Sequence, residues 1–172
     1  MTAHADIKDA ATGVLRSAFG LSGQKCSACS RVYVPDTLWP KLEPLLVGMI
    51  REITMGDVAD LSNFMGAVID ERAFDTISRY VDIANGSAQV LAGGRYDKRQ
   101  GWFVEPTLAR VDDPKHVLMQ EEIFGPVVTL HVYPAARWHE TLRLVDETSP
   151  YALTGSVFAR DRAVIVEAAE AL

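Results

Sequence analysis

Apolar residues recur at Ile7, Ala10, Ala11, Val14, Leu15 and Ala18, a spacing that lines them along one face of a helix. Asp6 stands just ahead and its carboxylate can cap the first turn, so a helix is expected from Asp6 to about Phe19. Gly20 and Gly23 then loosen the backbone. Arg31-Val-Tyr-Val34 alternates and is rich in β-formers, which predicts a strand ended by Pro35. Asp36 offers a cap for a second helix, with Pro40 in its first turn and Leu42, Leu45, Leu46, Met49 and Ile50 on its apolar side. Met55–Met65 is turn-rich and reads as a loop. A third helix is expected from about Asp70 to Asn85, facing inward through Phe74, Ile77, Tyr80, Val81 and Ala84 and stopped by Asn85-Gly86.

Beyond it, Gln89–Ala92 reads as a short strand before the turn Gly93-Gly94. Phe103–Ala109 is extended, and Pro106 places it at an edge or outside the main sheet. Val127–Val132 predicts a strand, Ala136–Glu147 a helix, Leu153–Phe158 a strand and Asp161–Leu172 a last helix. Strands alternating with helices imply an α/β domain, a parallel-rich sheet flanked by helices. No repeat and no linker interrupts the pattern. Neither a G-x-G-x-x-G nor a G-x-x-x-x-G-K-[ST] occurs, so a self-contained nucleotide-binding fold is not expected.

Length and charge narrow the classes. With 172 residues there is enough chain for one domain with a real core, and 48% hydrophobic with 23% charged residues is a soluble globular balance. A net charge of −6 without any basic stripe argues against nucleic acid or an anionic membrane as the main partner. Apolar runs such as Pro44–Ile50 are far shorter than the ~20 residues that cross a bilayer. The polar, acidic opening MTAHADIKDA reads as neither a secretory signal nor a transit peptide, so the cytoplasm is the expected location.

Chemistry concentrates in Ser22-Gly-Gln-Lys-Cys-Ser-Ala-Cys-Ser-Arg31, which holds both cysteines, Cys26 and Cys29. A zinc site would need two more ligands, and His4, His116, His131 and His139 show no ligand spacing. A thioredoxin-like pair should follow a strand, whereas a helix precedes this one. Two readings stay open: small buried thiols, or a catalytic nucleophile. For the second, Gly23, Ser22, Ser27 and Ala28 would let backbone N–H groups reach a bound carbonyl, and a helical turn starting here would favour a thiolate. Lys25 would add positive charge.

Several motifs together resemble one family. Gly23-Gln-Lys-Cys26 with Ser30-Arg31 resembles the catalytic-cysteine motif of the aldehyde dehydrogenase superfamily, and Gln120-Glu-Glu-Ile-Phe-Gly-Pro126 its second signature at a family-like separation. Gly101–Thr107, Met55-Gly56-Asp57 with Gly66–Ile69, and Tyr151–Thr154 with Val157-Phe158 are similar to further family segments. The flavour of GQKCSACSR is most similar to 1-pyrroline-5-carboxylate (glutamate γ-semialdehyde) dehydrogenases. The resemblance implies that Cys26 attacks the aldehyde, giving a thiohemiacetal and then a thioester. It implies that Glu122 bonds the nicotinamide ribose of NAD or NADP, that Phe124 packs beside the nicotinamide, that Ser27 helps hold the substrate carboxylate, and that Cys29 is packing.

It also implies what lies elsewhere. The family's cofactor domain, general-base Glu and oxyanion-hole Asn precede the cysteine, and a substrate-anchoring loop follows the last segment matched here. Residues 1–172 therefore read as a partial catalytic domain of the aldehyde-dehydrogenase type, incomplete at both ends and without the cofactor-binding domain. The expected small-molecule partner is an aldehyde. Relatives are usually homo-oligomers, and the fragment is expected to bind NAD poorly, to lack activity alone and to self-associate through exposed apolar surface. Two other classes remain: a non-catalytic interaction domain that keeps the fold, or a weak thiol-dependent esterase.

Overall fold

In the computed structural model, which describes residues 1–151 and 153–172, a four-stranded sheet is covered on both faces. The chain begins with helix α1 (Ile7–Phe19), capped as expected: Asp6 Oδ1 accepts from the N–H groups of Lys8 and Asp9. Strand β1 (Arg31–Pro35) and helix α2 (Trp39–Arg51) follow, then helix α3 (Glu71–Ser87), strand β2 (Gln89–Ala92), and a small hairpin of β3 (Tyr96–Asp97) and β4 (Phe103–Val104). Strand β5 (Thr107–Val111), the short helix α4 (Val117–Gln120), strand β6 (Val127–Tyr133) and helices α5 (Trp138–Glu147) and α6 (Arg162–Ala171) complete the order.

The sheet order is β1-β6-β5-β2. β6 runs parallel to both β1 (Arg31 opposite Thr129) and β5 (Thr107 opposite Val127), and only β2 is antiparallel, with a slip between Val90 and Ala92. Period-two alternation sends Val32, Val34, Leu108, Val128 and Leu130 toward α1 and α2. Ala109 and Val127 face α3, where Phe74, Ile77, Val81 and Ala84 form its inward stripe, and Tyr33, Val111 and Tyr133 pack with Met119 toward α5. Burial on both faces explains why these strands read as nearly unbroken apolar runs. Leu42 and Leu46 on α2 are fully buried, each contributing about 1.5–3 kcal/mol of burial energy.

Four expectations are corrected. Asp36 does not cap α2, whose first turn starts after Leu38 with Pro40 inside it. Its carboxylate instead accepts from Ala135 N–H at 3.0 Å and ties the end of β1 to the exit of β6. Helix α3 passes through Asn85-Gly86 to Ser87, because the Asn85 amide is engaged by the Gly94 carbonyl at 2.9 Å and Ser87 Oγ donates back to Ile83. Pro106 divides Phe103–Ala109: β4 lies outside the main sheet, but β5 sits inside it between β6 and β2. Leu153–Phe158 is not a strand. A strand needs a ladder partner, and the hydrogen bonds this stretch makes are at its end, where Thr2 N–H donates to the Phe158 carbonyl at 3.0 Å and the Phe158 ring covers Gly13 of α1. Ala152, within the Tyr151–Thr154 motif, lies outside the described residues.

Candidate active site

The turn that carries the cysteines is built on left-handed backbone. Leu21, Ser22 and Gly23 have φ of 54°, 55° and 68°, a conformation that costs a non-glycine residue roughly 1–2 kcal/mol. Side chains hold it in place: Ser22 Oγ donates to the Gly66 carbonyl at 2.9 Å, and Gln24 Oε1 accepts from Ile69 N–H at 3.0 Å. The loop after α2 is thereby drawn against the cysteine motif. Gly23 also touches the second signature, since a Cβ there would lie 2.3 Å from the Gly125 carbonyl oxygen.

Beyond Gly23 the chain makes a hydrogen-bonded turn, Ala28 N–H to the Lys25 carbonyl at 3.0 Å, and lifts Cys26 and Ser27 into solvent. No helix begins here, so the expected help of a helix dipole is not available. Lys25 is turned back over Gly20, where a Cβ would lie 3.3 Å from its ammonium, and so sits at the C-terminal end of α1 among helix carbonyls that favour a cation.

The two thiols are in opposite environments. Cys26 is exposed. Cys29 packs against the core beneath α1 and β1, its N–H donates to the Ser17 carbonyl and its Sγ to the Arg31 carbonyl at 3.4 Å, and burial pushes its thiol up to about 11 from 9.0. A raised folded value stabilises the fold below the unfolded pKa, and that stabilisation is lost as pH rises through the folded one. The loss amounts to about 3 kcal/mol. The thermal midpoint should accordingly fall between pH 9 and pH 11, and fall less in Cys29→Ala. An equally steep decline in that variant would contradict the assignment.

The second signature is anchored at every other residue. Tyr80 donates its hydroxyl to Glu121, Ile123 is buried beside Phe74, Ile77 and Val81, and Gly125 lies against both Gly23 and Ile77. Glu121, Glu122 and Phe124 are all exposed, Phe124 with a left-handed φ of 56°. Among the described residues no protein group bonds the Glu122 carboxylate.

A cavity of about 540 Å³ is walled by Cys26 and Ser27 from the first motif, Glu121 and Glu122 from the second, and Tyr151 and Thr154 from the last segment. The structure thus gathers Cys26, Ser27 and Glu122 around one space, with Phe124 outside its wall. Arg31 was legible in the motif but carried no role. Its guanidinium bonds the Met119 carbonyl at 3.2 Å and the Tyr151 carbonyl at 3.0 Å, and Ser149 Oγ bonds the Gln120 carbonyl at 2.7 Å. These contacts staple the far wall to the second signature. Tyr80 was legible only as a core position of α3. Among the described residues, no cluster of His, Cys, Asp and Glu could hold a metal ion.

The profile of the Aldehyde dehydrogenase family matches residues 1–172. This chain belongs to the aldehyde dehydrogenase family. It is 48% identical over 171 residues to Delta-1-pyrroline-5-carboxylate dehydrogenase, mitochondrial, of Danio rerio, covering 98% of this chain and 31% of that protein. The Delta-pyrroline-5-carboxylate dehydrogenase of Mycobacterium tuberculosis, solved bound with NAD, superposes with a TM-score of 0.91 at 39% identity over 99% of this chain and 31% of that one. Betaine aldehyde dehydrogenase of Staphylococcus aureus in complex with NAD+ matches with a TM-score of 0.90 at 32% identity, covering 98% and 34%. Within the family, then, this chain spans about a third of the length of the relatives it matches.

Proposed function

We propose that residues 1–172 are the cysteine-bearing part of an NAD(P)-dependent aldehyde dehydrogenase that oxidises glutamate γ-semialdehyde to the carboxylate. The observation that carries this reading is the shared cavity: an exposed thiol, the Ser27 hydroxyl and the exposed Glu122 carboxylate, from two distant motifs, border one space. Cys26 is the nucleophile. Its sulfur adds to the aldehyde carbon to give a thiohemiacetal, and the thioester formed on oxidation is released by water as the carboxylate. Ser27 donates to the carboxylate at the other end of the substrate, the source of preference for a carboxylated aldehyde.

The chain's own residues fit one end of a nicotinamide cofactor. The exposed Glu122 carboxylate is an acceptor for ribose hydroxyls, and the exposed ring of Phe124 is an apolar face for the nicotinamide. When bound, that group supplies the hydride acceptor that makes the reaction an oxidation. The pyrophosphate and adenine need donors that the motifs here do not provide, so NAD should leave the thermal midpoint of this chain unchanged. Aldehyde oxidation should likewise be absent from the chain alone.

The cysteine chemistry is testable without cofactor. Glutamate γ-semialdehyde should slow alkylation of Cys26 by iodoacetamide at least about fivefold by occupying the sulfur as a thiohemiacetal. Propanal at the same concentration should protect less, and Ser27→Ala should bring the two aldehydes together. If neither aldehyde protects Cys26, the nucleophile reading fails.

A further inference from the structure

The second signature contains two adjacent acids, and both border the cavity. They differ in what holds them. Glu121 accepts a hydrogen bond from Tyr80, a residue 7% exposed on the inward face of α3, while Glu122 has no protein partner among the described residues. The Arg79 guanidinium lies over the Tyr80 ring, 5.4 Å from its centroid, and stabilises the electron-rich face of the phenol. Glu121, as the hydrogen-bond acceptor, pushes the phenol's pKa above its ordinary value, so Tyr80 stays protonated and donates.

We propose that Tyr80 is a positioning residue for this site: it engages the Glu121 carboxylate on α3 and thereby leaves Glu122 as the acid at the cavity whose carboxylate is available to a ligand. In extended backbone, successive side chains point to opposite sides. Holding the Glu121 carboxylate on Tyr80, next to buried Ile123, sends 122 to the opposite side, while Phe124 is turned out by its own left-handed φ of 56°. Without the Tyr80 bond the first of these anchors is lost, and Glu121 and Glu122 become two similar solvated acids competing for one place. The inference rests on Glu122 as the ribose acceptor, since that role gives the choice between the acids its consequence.

Carbodiimide-driven coupling of glycinamide to carboxylates, read by peptide mass spectrometry on the whole chain, tests the latch without cofactor or substrate. In the wild type Glu122 should couple at least about fivefold faster than Glu121, as expected for a carboxylate freed from a charge-assisted hydrogen bond. Tyr80→Phe keeps the ring in the core and removes only the donor, and should bring the two rates within about twofold. Glu121→Gln retains an acceptor for Tyr80 and should leave the Glu122 rate as in the wild type, whereas Glu121→Ala should change it at least threefold, about the effect of losing a weak hydrogen bond. A merely packing role for Tyr80 predicts rescue by phenylalanine. Equal rates in the wild type, or an unchanged ratio in Tyr80→Phe, would overturn the proposal. The aldehyde-protection result does not enter this ratio, so the latch and the functional reading fail separately.

Discussion

Gly23→Ala is expected to lower the thermal midpoint by roughly 4–20 °C, given the usual 2–4 °C per kcal/mol for a domain of this size. Two costs add. Alanine at a φ of 68° loses roughly 1–2 kcal/mol to the clash between its Cβ and its own backbone. The Cβ would also lie 2.3 Å from the Gly125 carbonyl oxygen and 2.8 Å from that of Ala18, and neither is the free end of a flexible side chain. Forcing atoms into a packed site costs typically 1–3 kcal/mol more, out of a total stability of only about 5–15. Gly125 cannot simply retreat, because Ile77 fills the space behind it. Gly48→Ala is the matched control: it sits exposed inside α2 with nothing within 4 Å of its Cβ, and should be neutral or stabilise by up to about 1 kcal/mol. Differential scanning calorimetry of the two variants decides the matter, and a Gly23→Ala midpoint within about 2 °C of the wild type, under 1 kcal/mol, would show that the two motifs are not packed as described.

That contact also shows what the sequence could and could not reveal. Patterns governed by local spacing were legible: the Asp6 cap, the inward stripe of α3 from Phe74 to Ala84, the strands at Val32 and Val127, and the loop between Met55 and Met65. Where a side chain had two possible partners, distance along the chain concealed the winner. Asp36 had the next helix beside it and took Ala135 instead, and Asn85 had a terminus to make and took Gly94. Leu153–Phe158 has a plausible strand pattern, yet a strand is a property of two segments, and among the described residues nothing pairs along its length. In the site, Cys26, Ser27 and Glu122 were named from motifs, and their gathering around one cavity required the fold. The latch from Tyr80 and the staple from Arg31 involve partners 41 and 88 or more positions away, and spacing carries no trace of such bonds.

Iodoacetamide at neutral pH should alkylate Cys26 at least about tenfold faster than Cys29. Raising the Cys29 thiol from 9.0 to about 11 cuts its thiolate about 100-fold, and the stronger nucleophilicity of that rarer thiolate recovers only about tenfold. Steric access widens the gap, since Cys26 stands in solvent at the mouth of the cavity while Cys29 Sγ is turned toward the Arg31 carbonyl and the core below α1. Time-resolved peptide mass spectrometry gives both rates from one sample. Cys29→Ala should still take up one label at the wild-type rate, and Cys26→Ala should take up almost none until the chain is unfolded. A slow rate shared by both thiols would mean that Cys26 is covered in solution, and it would remove the nucleophile from the proposed reaction. A fast rate at both would mean that the wall formed by α1 and β1 opens, and the difference in environment that singles out Cys26 would no longer stand. With the asymmetry in place, the C-x-x-C spacing divides by depth, one sulfur exposed at the cavity and the other packed as a small apolar side chain.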